Sequence, residues 1–264
     1  MRKLDARAHQ LTKPSQRLGP KSPAAADFAA RLALARETAP EGGGQPSLFR
    51  LLAETQIVME PLRKLRGPID VQPSKNPRKV MVLPGFATHP VRMRYMARQL
   101  RRADHTVHHW GLGFNFGPTP ENLEALENRI IDLHRRHGEK LVLLGWSLGG
   151  LFARELARRQ PDAVAQVITM GSPFSGNPRA NNAWRIYQFV TGHSVENPPI
   201  AGDMAAKPPV PTTAIWSPRD GIVSPRSACG KSGERDRAVA LRCTHIGFPY
   251  CEESIQAVLR ELED

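Results

Sequence analysis

The chain has 264 residues, 40% of them hydrophobic and 23% charged. That is enough apolar material for one large domain or two small ones, and it excludes collagen, a coiled coil and a wholly disordered chain. Nowhere do about 18 apolar residues run together, so no spanning helix is expected. Met1-Arg2-Lys3 is not followed by the apolar stretch of a secretory signal. The net charge of +12 is uneven: residues 1–80 hold 15 Lys and Arg against 7 Asp and Glu, a net +8, which leaves +4 for the remainder. Such a basic segment suits either a solvated tail or contact with an anionic surface. The cysteines Cys229, Cys243 and Cys251 are odd in number and lack a C-x-x-C spacing. They read as thiols in a reducing, cytosolic setting, with one disulfide as the alternative.

Residues 1–45 mix charges with Pro14, Pro20, Pro23, Pro40 and the run Gly42-Gly43-Gly44, and read as a basic, disordered tail holding one plausible helix over 24–37. Residues 46–78 read as a helix and a linker. Leu48, Leu51, Leu52, Val58, Met59, Leu62 and Leu65 recur at three- and four-residue spacing, which predicts an amphipathic helix over 46–66 with a kink or stop at Pro61. From Lys79 onward short apolar runs alternate with helical periodicity. Strands are expected at 80–83, 106–110, 141–144, 165–170, 212–216 and 238–242, and helices at 92–102, 120–137, 148–159 and 252–262. This alternation predicts an α/β domain over 79–264 whose mostly parallel sheet of about six strands carries helices on both faces. Residues 173–209 interrupt it as an Asn- and Pro-rich insertion with its own helix near 181–190. A segment of that length in a compact domain reads as functional or mobile.

Gly145-Trp146-Ser147-Leu148-Gly149-Gly150 is the sharpest feature. It follows an apolar strand and opens a helix, the setting in which a tight turn lifts a serine hydroxyl above the sheet edge. A serine nucleophile needs a base, and the base an orienting acid. His245 follows the last predicted strand and Asp220 the one before it, so both are expected at the same edge as Ser147. His89, His108, His109, His134 and His137 are less well placed, as are Asp203 and Asp236. Backbone N–H groups of Leu148, after the serine, and of Phe86, in Pro84-Gly85-Phe86, are the candidate oxyanion donors. Trp146, Trp184 and Tyr187 are the candidate substrate-binding side chains. With Ile186, Phe189 and Val190, the last two put more apolar surface on the insertion than an exposed loop should carry, so 173–209 is expected to cap the site. No phosphate loop, H-E-x-x-H or Cys/His zinc spacing occurs in the sequence, and neither metal nor cofactor is expected.

Residues 79–264 resemble an α/β-hydrolase, more narrowly the bacterial lipase- and esterase-type serine hydrolases of unassigned substrate. The resemblance rests on Val82-Leu83-Pro84-Gly85-Phe86, Trp110-Gly111-Leu112-Gly113, Gly117-Pro118-Thr119, 145–150, Met170-Gly171-Ser172-Pro173-Phe174, Asp220-Gly221-Ile222-Val223 and Thr244-His245. Many lipases carry His-Gly in the oxyanion loop, where this chain has Pro84-Gly85. The elbow at 145–150 also resembles that of the carboxylesterase acting on a pimeloyl carrier-protein methyl ester, and there the likeness is expected to stop. With the cap and the N-terminal helical extension read above, the resemblance implies an α/β-hydrolase fold and a cofactor-free esterase acting on a small-molecule or lipid ester. Acyl transfer by the same triad, or a silent membrane- or protein-binding module, are the alternatives. No nucleic acid is expected. The expected location is cytoplasmic, with peripheral contact at the inner membrane face through the basic N-terminus as a second option.

Overall fold

Residue alternation decides which way each strand faces. A computed structural model describes residues 28–37, 45–54, 69–196, 199 and 202–264. In chain order these form α1 (Phe28–Ala35), α2 (Leu48–Ala53), β1 (Lys79–Leu83), a 3₁₀ turn (Pro90–Met93), α3 (Arg94–Arg102), β2 (Thr106–His109), α4 (Pro120–His137) and β3 (Leu141–Trp146). Then follow α5 (Leu148–Arg159), β4 (Val164–Met170), α6 (Trp184–Thr191), β5 (Thr212–Trp216), α7 (Pro225–Cys229), β6 (Arg237–Ala240) and α8 (Glu252–Glu263). Val80, Val82, Val142, Leu144 and Trp146 pack on one face of the sheet with Met96 and Leu100 of α3 and Ile255, Val258 and Leu262 of α8. Met81, Leu83, Leu141 and Leu143 pack on the other with Leu126 and Ile130 of α4 and Phe152 and Leu156 of α5. Each such side chain stabilises by roughly 1.5–3 kcal/mol on burial, so a sheet apolar on both faces requires both helical layers.

The sheet order is β2-β1-β3-β4-β5-β6 and every pairing is parallel, so the expected mostly parallel sheet is wholly parallel among the described residues. Leu83 pairs with Gly145, Trp146 with Met170, and Trp216 with Ala240. Five strands therefore end level, and the loops after β1, β3, β4, β5 and β6 leave one edge together. Local chemistry sets the helix ends. Thr119 caps α4 by accepting from Asn122 N–H at 3.1 Å, Pro120 takes the first position, and Gly138 closes the helix at φ 67°.

The insertion helix was expected from residue 181 but starts at Trp184. Asn181 pairs in an antiparallel bridge with Val223, and its side chain accepts from Ala183 N–H at 2.9 Å, which holds the chain out of the helix until then. The last strand ends at Ala240, two residues earlier than expected. Part of the expected N-terminal tail is ordered against the cap. Gln188 Nε2 donates to Leu34 C=O at 2.7 Å, Arg31 donates to Phe189 C=O at 3.1 Å near the end of α6, and Arg179 pairs with Glu37. Residues 1–27 and 38–44 of that tail lie outside the described residues, as do residues 55–66 of the expected amphipathic helix, with its Pro61, and residues 67 and 68 of the linker. Cys229, Cys243 and Cys251 are all free thiols. Among the described residues no helix is long and apolar enough to cross a membrane.

Candidate active site

Ser147 joins β3 to α5 with φ 55° and ψ −123°, a conformation most side chains avoid. The turn is held because Ser147 N–H donates to Met170 C=O of β4 at 2.8 Å. It also needs its flanking glycines. A Cβ on Gly145 would overlap the carbonyl of Gly149, and one on Gly149 would overlap the carbonyl of Leu83. The packing of β1, β3 and α5 against one another thus forces the serine outward.

Asp220 and His245 come together at the end of the same sheet edge. His245 Nδ1 lies 2.7 Å from Asp220 Oδ2, and both side chains are buried. The other carboxylate oxygen accepts from Ile222 N–H at 2.9 Å and Val223 N–H at 2.7 Å. Asp220 therefore only accepts, which assigns the proton to Nδ1 and leaves Nε2 of the neutral ring as an acceptor. Burial by itself would push the imidazole down. The Asp220 carboxylate, and behind it Glu54, outweigh that and hold His245 above its ordinary value of 6.5.

The loop after β1, which carries the candidate donor Phe86, is held by Asn115, a residue the sequence did not single out. Asn115 is fully buried, donates from Nδ2 to Pro84 C=O at 2.7 Å, and accepts at its backbone carbonyl from Ala87 N–H at 2.7 Å. Thr88 Oγ1 closes the turn on Gly85 C=O at 2.7 Å. Ala87 sits at φ 53°, so the loop is strained and needs this clamp. The available signal was Asn115 in a Gly- and aromatic-rich stretch, which by itself reads as a turn.

A cavity of about 280 Å³ is lined by Ser147, Phe86, Leu148, Trp184 and Tyr187, together with the lower wall of the insertion. The rings of Phe86 and Tyr187 are 5.4 Å apart, so α6 reaches the loop after β1. Burial pushes the Tyr187 hydroxyl up to about 12, so it stays neutral. Trp184 and Tyr187 line the cavity, whereas Trp146 does not. It is buried in the sheet face with Val142 and Leu144, and its Nε1 donates to His245 C=O at 3.1 Å. Strand parity already implied this, because Trp146 falls on the same side as those two residues. Asp236 lies elsewhere, bound to Lys207 at 2.6 Å.

The sequence profile of the alpha/beta hydrolase fold matches residues 80–192. A pimeloyl-[acyl-carrier protein] methyl ester esterase of Aliivibrio salmonicida is 35% identical over 83 residues, 31% of this chain and 29% of that protein. That likeness covers 83 residues, more than the six of the elbow to which it was expected to be confined, yet the matched part spans under a third of the relative's length. Among solved structures, a mature lipase of Bacillus licheniformis aligns with a TM-score of 0.56 at 12% identity, over 74% of this chain and 96% of that one. Lipase B of Aspergillus fumigatus aligns with a TM-score of 0.51 at 20% identity, over 75% of this chain and 55% of that one. At such identities the structural likeness bears on the fold. Over residues 80–192, then, the chain is similar to the alpha/beta hydrolase fold family, and its sheet shares that fold.

Proposed function

We propose that this protein hydrolyses carboxylic esters through an acyl-enzyme, with Ser147 as nucleophile, His245 as general base and acid, and Asp220 as the orienting acid. One observation carries the reading. Ser147 stands in a strained elbow opening on a cavity shared with Phe86 and Leu148, while His245 at the same sheet edge holds its Asp220 partner at 2.7 Å.

Ser147 Oγ attacks the acyl carbonyl as His245 Nε2 takes its proton. The carbonyl oxygen becomes an oxyanion and accepts from the Phe86 and Leu148 N–H groups. The tetrahedral intermediate then expels the alcohol, which leaves with the proton from His245, and the acyl group remains on Ser147. Water, deprotonated by His245, attacks this ester. The acid departs and the proton returns to Ser147. Asp220 keeps the imidazole in the right tautomer and stabilises its charged form throughout.

The cavity is at the low end of small-molecule pocket sizes and mostly apolar, which suits a short or medium acyl chain of a neutral ester. Excluding water there strengthens the oxyanion hydrogen bonds. The test is labelling with a fluorophosphonate probe followed by peptide mapping. Modification at Ser147, lost in Ser147→Ala, is expected; folded protein that remains unlabelled there would overturn the reading.

A further inference from the structure

Glu54 stands at the C-terminal end of α2, ahead of the first strand and outside the residues matched to the hydrolase family. Its carboxylate is almost wholly buried. Oε1 accepts from Gly221 N–H at 2.9 Å and from His245 N–H at 2.8 Å, while Oε2 accepts from Ile246 N–H at 2.9 Å. One side chain therefore takes the N–H after Asp220 and two consecutive N–H groups at His245. The loops carrying Asp220 and His245 leave adjacent strands whose ladder ends at Trp216 and Ala240. Beyond that point, Ser217 Oγ donates to Cys243 C=O at 2.6 Å, and Glu54 is the next link across.

The segment that delivers Glu54 is seated for this purpose. The carbonyl of Arg50 fills the space where a Cβ on Gly221 would lie, so only glycine there lets α2 approach. Asn182 Nδ2 donates both to Pro46 C=O at 3.1 Å and to Gly221 C=O at 2.7 Å, tying segment, cap and acid loop together. Gln45 Nε2 donates to Arg179 C=O at 3.1 Å on the cap.

We propose that Glu54 is a positioning residue of the triad, whose carboxylate joins the Asp220 loop to the His245 loop and fixes the separation of acid and base. The proposal rests on the esterase reading and adds to it that the site is completed from the N-terminal segment. Geometry at a triad is unforgiving, because a displacement of about 1 Å can cost on the order of 10²-fold in rate. The groups facing His245 are Asp220 from the loop after β5 and Glu54 from α2. Cys243 and Cys251 lie on its own loop, and Trp146 and Phe248 supply only rings. Loss of the Glu54 charge therefore lets burial pull the imidazole down.

The experiment compares full-length wild type, Ser147→Ala and Glu54→Gln by steady-state hydrolysis of p-nitrophenyl butyrate across pH, and by NMR titration of the His245 ring. Glutamine keeps the shape but turns an N–H₂ toward a backbone donor. The expected result is a fall in kcat of roughly tenfold or more, little change in KM, and a downward shift of both the acid limb of kcat/KM and the His245 titration. An unchanged kcat and unchanged titration, with only a lower melting temperature, would overturn the proposal and leave Glu54 a structural residue. Should Glu54→Gln fail to fold, Asn182→Ala loosens the same segment without touching Glu54. The same changes in the same directions are then expected, and an unaltered kcat and titration overturns the proposal. If wild type shows no turnover that Ser147→Ala removes, the esterase reading fails. The NMR titration still decides the Glu54 contact.

Discussion

Trp146 Nε1 donates to the backbone carbonyl of His245 at 3.1 Å, and the two rings lie 5.8 Å apart. The residue before Ser147 thus holds the loop that carries His245, which couples β3 to the segment leading into α8 through one indole. Trp146→Phe removes the donor and keeps most of the packing. The buried carbonyl it leaves costs about 1–3 kcal/mol. Thermal melts should show that loss, and kcat should fall while the preference among acyl chains stays the same. A change in chain preference would return Trp146 to the substrate pocket.

Asp220→Asn should lower kcat on the order of 10³–10⁴-fold with the fold intact, because the amide cannot fix the His245 tautomer. Asp236→Asn, at the exposed pair with Lys207, should leave turnover near wild type. Steady-state kinetics of both variants decide between the two acids. The assignment fails if Asp236→Asn is the more damaging.

If His245 is the base, activity and stability should follow opposite pH trends. Its value in the folded protein lies above the ordinary 6.5. The neutral base is needed for attack, so kcat/KM should rise with pH through a midpoint above 6.5. A group raised on folding stabilises fully below its unfolded value and loses that contribution as pH rises through its folded value. Stability attributable to His245 should therefore fall over the same window in which activity rises. Urea melts of wild type and His245→Gln at a series of pH values check this: the difference between them should shrink from about pH 6.5 upward.

Asn115→Ala releases the carbonyl of Pro84, while the backbone bond from Ala87 N–H to residue 115 remains. Losing one oxyanion donor outright costs about 10²–10³ in kcat, so a loosened donor should cost on the order of tenfold. KM should change little. An effect on KM alone would mean that Asn115 shapes the pocket and not the oxyanion loop.

Tyr187→Ala opens the cavity beside Phe86, and Trp184→Ala removes a fully buried ring on the same helix. Such truncations cost about 3–5 kcal/mol in stability. A set of p-nitrophenyl esters of increasing chain length reads the rest. Preference should shift toward longer chains in Tyr187→Ala, whereas an equal loss for all chains would mean that these rings serve only the core.

Much of this protein is readable along the chain. The α/β class, the positions of the strands and the elbow at 145–150 follow from local periodicity and from glycine spacing, because those depend on residues a few positions apart. That Ser147, Asp220 and His245 share one edge follows from strand ends, since a parallel sheet sends those ends to one side. Other features depend on partners that only the folded chain brings near. Asn115 acts on Pro84, 31 residues away, and nothing in its own neighbourhood names that loop. Helix α1 reads as tail because its partner, α6, lies more than 150 residues further on. Glu54 looks like one more acid in an amphipathic stretch. Its three donors lie 167 to 192 residues along the chain, and burial of its carboxylate between two loops is decided only when the sheet and the N-terminal segment close on each other.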